Sequence, residues 1–170
     1  NIYLEGEFYC GLYEDTILKY GLAAGDGKSE SELNEIKSFD EYLYGKKAAM
    51  DYLSYRIRTK EEERRKLRPK KLSDNTIAKV IKHLAELNLL NDEEFAKQLI
   101  TEKIKHKPVG RRLLKQKLFE KGISAATGEE VIEKIFSEHD EKELAIRNFA
   151  KYYKKVKDLE ISERKRKVFD

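Results

Sequence analysis

Leu89–Gly122 reads LLNDEEFAKQLITEKIKHKPVGRRLLKQKLFEKG, two amphipathic helices joined by a short Pro-Val-Gly turn. Asn91 is a favourable N-cap, Glu94 stands at capping-box spacing from it, and Leu90 and Phe95 have the spacing of a hydrophobic staple. Phe95, Ala96, Leu99, Ile100 and Ile104 then recur at three- and four-residue steps until Pro108 removes a backbone donor and stops the helix. The second helix carries Leu113, Leu114 and Leu118. It ends at Gly122, the residue type that tolerates the left-handed conformation beyond a helix end.

The rest of the composition agrees with this helical segment. The chain has 170 residues, 39% hydrophobic and 40% charged, a balance that argues for thin, well-solvated helical layers rather than one thick core. Two prolines and nine glycines leave few breakers among the abundant Lys, Arg and Glu. A mainly α fold follows. Cys10 is the sole cysteine of the sequence, so no intrachain disulfide framework is expected, nor any Cys/His metal site or cofactor, and a cytoplasmic location suits it. No apolar run approaches the roughly 20 residues of a membrane span, and no signal segment opens the chain, so no membrane partner is expected. The net charge of +4 hides an asymmetry: residues 1–45 hold 3 basic and 10 acidic residues (−7), and the remainder 33 and 22 (+11). A basic body of this kind suits phosphate or an acidic protein surface, although a solvated helical face rich in both signs would look the same.

Taken in order, Ile2–Leu4 and Phe8–Leu12 around Glu5-Gly6-Glu7 predict a β-hairpin, marginal unless a further strand or a helix supports it. Glu14–Tyr20 predicts a short helix ended by Gly21. A second is expected from about Ser29 to Ile36, with Ser29 and Glu32 at capping-box spacing. From about Ser38 the pattern is continuously helical and repeats itself. At a constant offset of 51, Lys66, Leu67, Leu72, Ser73, Thr76, Val80, Ile81 and Leu84 fall on Lys117, Leu118, Ile123, Ser124, Thr127, Val131, Ile132 and Ile135. NDEEFA from Asn91 matches DEKELA from Asp140 at offset 49. The expected organisation is an N-terminal hairpin and short helices over 1–38, three-helix repeats over 39–89 and 90–139, and an incomplete third repeat over 140–170. Predicted helices run over about 40–57, 59–70 and 74–88 in the first repeat and 92–107, 109–121 and 125–138 in the second. Stacked repeats of this size would form an elongated, slightly curved body.

These residues resemble the RecX family, bacterial regulators of the RecA recombinase. The resemblance covers nearly the whole chain. Its most specific parts are LLNDEEFAKQLITEKI, similar to the family's Leu-Asn-Asp followed by acidic-Phe-Ala, and GRRLLKQKLFEKGIS, similar to its Gly-x-x-x-(Ile/Leu)-x-x-x-Leu-x-x-Lys-Gly-Ile run. LSYRIRTKEEERRKL from Leu53 resembles the first-repeat signature, with Arg56, Arg58 and Thr59 in place. Three positions depart from it: Glu63 stands where an apolar residue is usual, Lys71 where Gly is common, and Pro69 sits at the helix end. The resemblance implies a non-enzymatic, monomeric modulator. Its partner would be the RecA filament on single-stranded DNA, where it restrains ATP hydrolysis, strand exchange and coprotease activity in recombination, DNA repair and the SOS response.

No catalytic constellation stands out. His83, His106 and His139 are scattered at turns or solvent faces, and there is no phosphate-binding Gly loop. At 100° per residue the helix from Asp140 places Ala145, Phe149, Tyr152 and Val156 around one face. Arg147, Lys151, Lys154 and Lys155 gather on the other, a cationic stripe suited to filament or DNA, or else an ordinary outward face. In the second repeat, Arg111, Arg112 and Lys115 are the corresponding candidates. Phe119 lies beside them, either packed against the neighbouring repeat or offered to a partner. Tyr52 is expected in the core. Two other classes remain open on these residues: a generic helical DNA-binding module, and a protein-only adaptor.

Overall fold

A computed structural model describes residues 1–106 and 109–138, together with Ile146, Phe149, Ala150, Tyr153, Lys157, Leu159, Glu160 and Glu163. The chain divides into two units, Asn1–Asn91 and Asp92–Asp170, and its described residues are mainly α-helical.

The first unit opens with an antiparallel hairpin of β1 (Ile2–Leu4) and β2 (Glu7–Cys10), so the second strand starts and ends earlier than expected. Glu5 (φ 51°) and Gly6 (φ 89°) are both left-handed, the mirror-image two-residue turn whose twist matches that of the strands. Helix α1 (Glu14–Tyr20) ends on Gly21 at φ 58°. Helix α2 is then one unbroken span, Glu30–Leu53, started by a complete Ser29/Glu32 capping box. The sequence predicts two helices here, with the second opening at the acids near 40.

Those acids have another job. Asp40 accepts hydrogen bonds from the Tyr13 N–H and the Thr16 hydroxyl, both at 2.7 Å, at the start of α1. Glu41 accepts from the Ser73 N–H, the Ser73 hydroxyl (3.2 Å) and the Thr76 hydroxyl (2.9 Å) at the start of α4 (Asp74–Glu86). Helix N-termini carry unpaired N–H groups and partial positive charge, so two adjacent carboxylates on α2 hold two other helices. Between them in sequence, α3 (Lys60–Leu67) is capped by the Thr59 hydroxyl, which accepts from the Glu62 N–H. It is shorter than the expected 59–70, because the chain tightens at Pro69 into one 3₁₀ turn, Arg68–Lys70.

The second unit repeats the plan with α5 (Asp92–His106), α6 (Arg111–Glu120) and α7 (Ala125–Glu138). Leu67, Val80, Ile81 and Leu84 are buried in the first unit, as are Leu118, Val131, Ile132 and Ile135 at the matching positions of the second. The caps match as well. The Ser73 Oγ accepts from the Thr76 N–H at 3.2 Å, and the Ser124 Oγ from the Thr127 N–H at 3.1 Å. Leu90 closes the first core and Phe95 belongs to the second.

The repeat also explains two departures. Lys71 has φ 58° and its counterpart, Gly122, φ 77°, so both units need a left-handed residue after the second helix and only one supplies glycine there. Glu63 falls, at the same offset, on Leu114, and both are fully buried. A side chain in the left-handed region costs about 1 kcal/mol. Lys71→Gly is therefore expected to raise the first unit's stability by up to about 1 kcal/mol, and Gly122→Lys to lower the second unit's by about as much, read from urea denaturation midpoints.

Candidate nucleic-acid and partner interface

Helix α6 starts at Gly110 without a side-chain cap and buries Leu114 and Leu118, which leaves Arg112, Lys115 and Phe119 outside. Phe119 is 77% exposed. Beside it, Leu118, Ile123 and Gly128 help to line a cleft of about 290 Å³. A Cβ at Gly128 would lie 3.3 Å from a Leu118 methyl, so glycine sets the close approach of α7 to α6.

The three candidate cations of α6 differ in what they face. Arg111 pairs with Glu133 of α7 and lies 4.8 Å over the Phe136 ring, and Lys115 pairs with Glu129 at 2.8 Å. That pair holds the Glu129 carboxyl below its usual range, through the hydrogen bond from Lys115 and then its charge. Such exposed pairs contribute little, so a partner's phosphate could displace them. Arg112 is exposed and makes no ion pair among the described residues. Arg147, Lys151, Lys154 and Lys155 lie outside the described residues. Of the apolar face expected for that helix, Phe149 is described, and it is 69% exposed, stacked on Tyr153 at 5.8 Å.

A second cationic region, not singled out from the sequence, lies on the first unit around α3. Tyr52, expected in the core, is half-buried beneath two cations: the Arg58 guanidinium at 3.9 Å and the Lys66 ammonium at 5.0 Å from its ring centroid. Lys70 lies 5.4 Å over Tyr44. Below them sits Glu63, wholly buried, with neither carboxylate oxygen hydrogen-bonded; the Arg58 Nε is likewise buried and unpartnered. Burial pushes the Glu63 carboxyl up to about 7. Arg58 and Lys66 pull it down and Glu62 pushes it further up, but neither cation makes an ion pair with it. His83 is half-buried against Tyr42 at 6.1 Å rather than on a solvent face, with its Nε2 buried and unpartnered. Among the described residues no group of three His, Cys, Asp or Glu is placed to hold a metal ion, and no helix is long and apolar enough to cross a membrane.

Two family models match in tandem: residues 46–84 match the first three-helix domain of RecX and residues 91–132 the second. The chain belongs to the RecX family. It is 36% identical over 146 residues to the regulatory protein RecX of Streptococcus pneumoniae serotype 19F (strain G54), covering 86% of this chain and 55% of that one. With the protein of the same name from Streptococcus uberis (strain ATCC BAA-854 / 0140J) it shares 35% identity over 127 residues, 75% of this chain and 48% of the relative. The chain thus spans about half the length of these curated RecX relatives. A crystal structure of regulatory protein RecX superposes with a TM-score of 0.75 at 24% identity, over 99% of this chain and 82% of that one, a likeness of fold. RecX from Lactobacillus salivarius superposes with a TM-score of 0.66 at 25% identity, over 76% and 83% of the two chains.

For this family member, Glu63 makes stability depend on pH in a definite direction. Its folded value of about 7 lies above the ordinary 4.5, so the folded state binds the proton more tightly. The contribution is complete below pH 4.5 and lost as pH rises through about 7. The urea midpoint of the first unit is expected to fall between pH 5 and 8, by an equivalent of about 3 kcal/mol. Glu63→Leu, which restores the residue type of Leu114, is expected to flatten that dependence and to exceed the parent in stability at pH 8; an unchanged slope would show that Glu63 is not its source.

Proposed function

We propose that the chain is a regulator that works by binding rather than by catalysis. It engages RecA filaments on single-stranded DNA and thereby restrains RecA's ATP hydrolysis, strand exchange and coprotease activity. The observation that carries this reading is the ordered tandem match to the first and second three-helix domains of RecX, on a chain whose own repeat places the same caps and core positions in both. Arg111, Arg112 and Lys115 on α6, with Arg147, Lys151, Lys154 and Lys155 beyond it, are the residues offered to the filament. The chain would act as a monomer in the cytoplasm. An uncharged or acidic surface would not suit a polyanionic filament. The cations of α6 held by weak, displaceable pairs do.

The cations around α3 favour a second reading, a helical DNA-binding module with no preference for RecA. The two separate in one assay. A filament regulator slows RecA's single-strand-dependent ATP hydrolysis at low ratios of protein to filament and prefers RecA-coated strands to bare ones. The generic module binds bare DNA as well as coated DNA and leaves hydrolysis unchanged. Arg111→Gln with Arg112→Gln and Lys115→Gln is expected to weaken the inhibition several-fold, and no inhibition by the parent at saturating protein would overturn the RecA reading.

A further inference from the structure

The run Arg64–Lys71, RRKLRPKK, holds six cations in eight positions and no acid. Arg64 and Arg65 share the single carboxylate of Glu61, at 2.7 and 3.6 Å. Lys66, Arg68, Lys70 and Lys71 have no carboxylate at ion-pair distance among the described residues, and three of the four are exposed. Cations suit the C-terminal end of a helix, which accounts for Lys66 and Arg68 but not for Lys70 and Lys71, since that effect fades beyond the last turn. Four uncompensated charges in six positions repel one another, an arrangement that becomes favourable when an anion covers it.

The geometry points to a binding strip for the backbone of single-stranded nucleic acid, formed by Lys66, Arg68, Lys70 and Lys71 over the tyrosines of α2. Lys66 and Lys70 are each steered by an aromatic ring, Tyr52 and Tyr44. Those tyrosines are eight residues apart on one helix, so their Cα atoms stand roughly 12 Å apart along its axis. A strand packs its phosphates no closer than about every 3.4 Å, the spacing it has in a duplex, so that length takes at most roughly three or four of them. Tyr44 is 37% exposed, and Tyr55, one turn beyond Tyr52, is 82% exposed. The open ring of Tyr55 and the part-exposed ring of Tyr44 favour a strand over an acidic peptide, because unpaired bases stack on such rings while phosphates meet the cations, and carboxylate side chains gain nothing comparable. The strip deepens the reading above, from which it takes the choice of strand, but it acts on bare nucleic acid and needs no RecA.

The test is binding of a fluorescent thymidine 20-mer across a salt series by the full chain and by Lys66→Gln/Arg68→Gln/Lys70→Gln/Lys71→Asn, the last chosen because asparagine tolerates a left-handed backbone. The parent is expected to bind with a steep salt dependence. The quadruple variant is expected to bind at least tenfold more weakly at low salt, with a slope of log K against log salt reduced by about 3, or about 0.7 for each lost contact. Should that variant lose its helical circular dichroism, Arg68→Gln/Lys71→Asn alone is expected to remove about half of the slope change. Unchanged affinity and slope in the variants, no binding by the parent, or equal displacement by polyglutamate of matched charge would each overturn the strip. RecA ATPase is measured alongside. Inhibition with an unaltered salt slope in the variants defeats the strip and leaves the RecA reading standing, whereas lost strand binding with no effect of the parent on RecA does the reverse.

Discussion

The first unit depends on a carboxylate of its long helix reaching the start of another helix. Glu41 takes the Ser73 N–H and the hydroxyls of Ser73 and Thr76, and so fixes the N-terminus of α4 against the middle of α2. With that end fixed, Leu72 and Val80 come within 3.2 Å of where a Cβ would stand at Gly45, so the two helices meet at a point where α2 has no side chain. Asp40, one residue earlier, does the same for α1 and ties it to the same helix. Charge alone would give such surface acids little. One orphan N–H at each helix start, together with the hydroxyls of Thr16, Ser73 and Thr76, gives them several hydrogen bonds and a favourable dipole at once.

The second unit shows which parts of this plan are general. Asp92 stands at the position of Glu41, Ala96 at that of Gly45 and Leu114 at that of Glu63, and the serine caps and the left-handed residue recur. What differs is therefore informative. A leucine in the second core and a glutamate in the first share one site, and the glutamate has no hydrogen-bonding partner there. A buried carboxyl of this kind eases the conflict by binding its proton more tightly, burial outweighing the pull of the neighbouring cations. Arg58 is drawn to the same place but spends its guanidinium on the Tyr52 ring.

Much of this was legible in the sequence, for a physical reason. Caps, turn glycines and the three- and four-residue steps of leucine and isoleucine are local signals, and they carried the repeat, the core and the family resemblance. The misread helix shows where local signals mislead. Asp40 and Glu41 look like the acidic first turn of a new helix, since such acids cluster at N-termini. They do serve N-termini, but those of α1 and α4, from the middle of an unbroken α2. Burial of Glu63 was signalled only indirectly, by the apolar residue usual at its position and by the repeat register that aligns it with Leu114, since its own chemistry points outward. The half-buried His83 was misplaced for a similar reason: a wheel gives a direction, and exposure depends on what lies there.

Cations cannot be ranked by sequence either, because their partners are distant in it. Arg111 and Lys115 look freer than the residues after α3, yet Glu133 and Glu129, 22 and 14 positions away, hold both. This distinction affects how salt acts. Added salt screens the pairs on α6 as well as any contact they make with phosphate, so the two losses partly offset and affinity gained through Arg111 and Lys115 should vary little with ionic strength. Lys66, Arg68, Lys70 and Lys71 make no ion pair among the described residues, so each phosphate they would neutralise would add its full share of released counterions. The two units thus hold the same kind of charge in different states. The one already discharged onto its own protein suits a partner that supplies shape as well as charge, and the one left open suits a flexible polyanion.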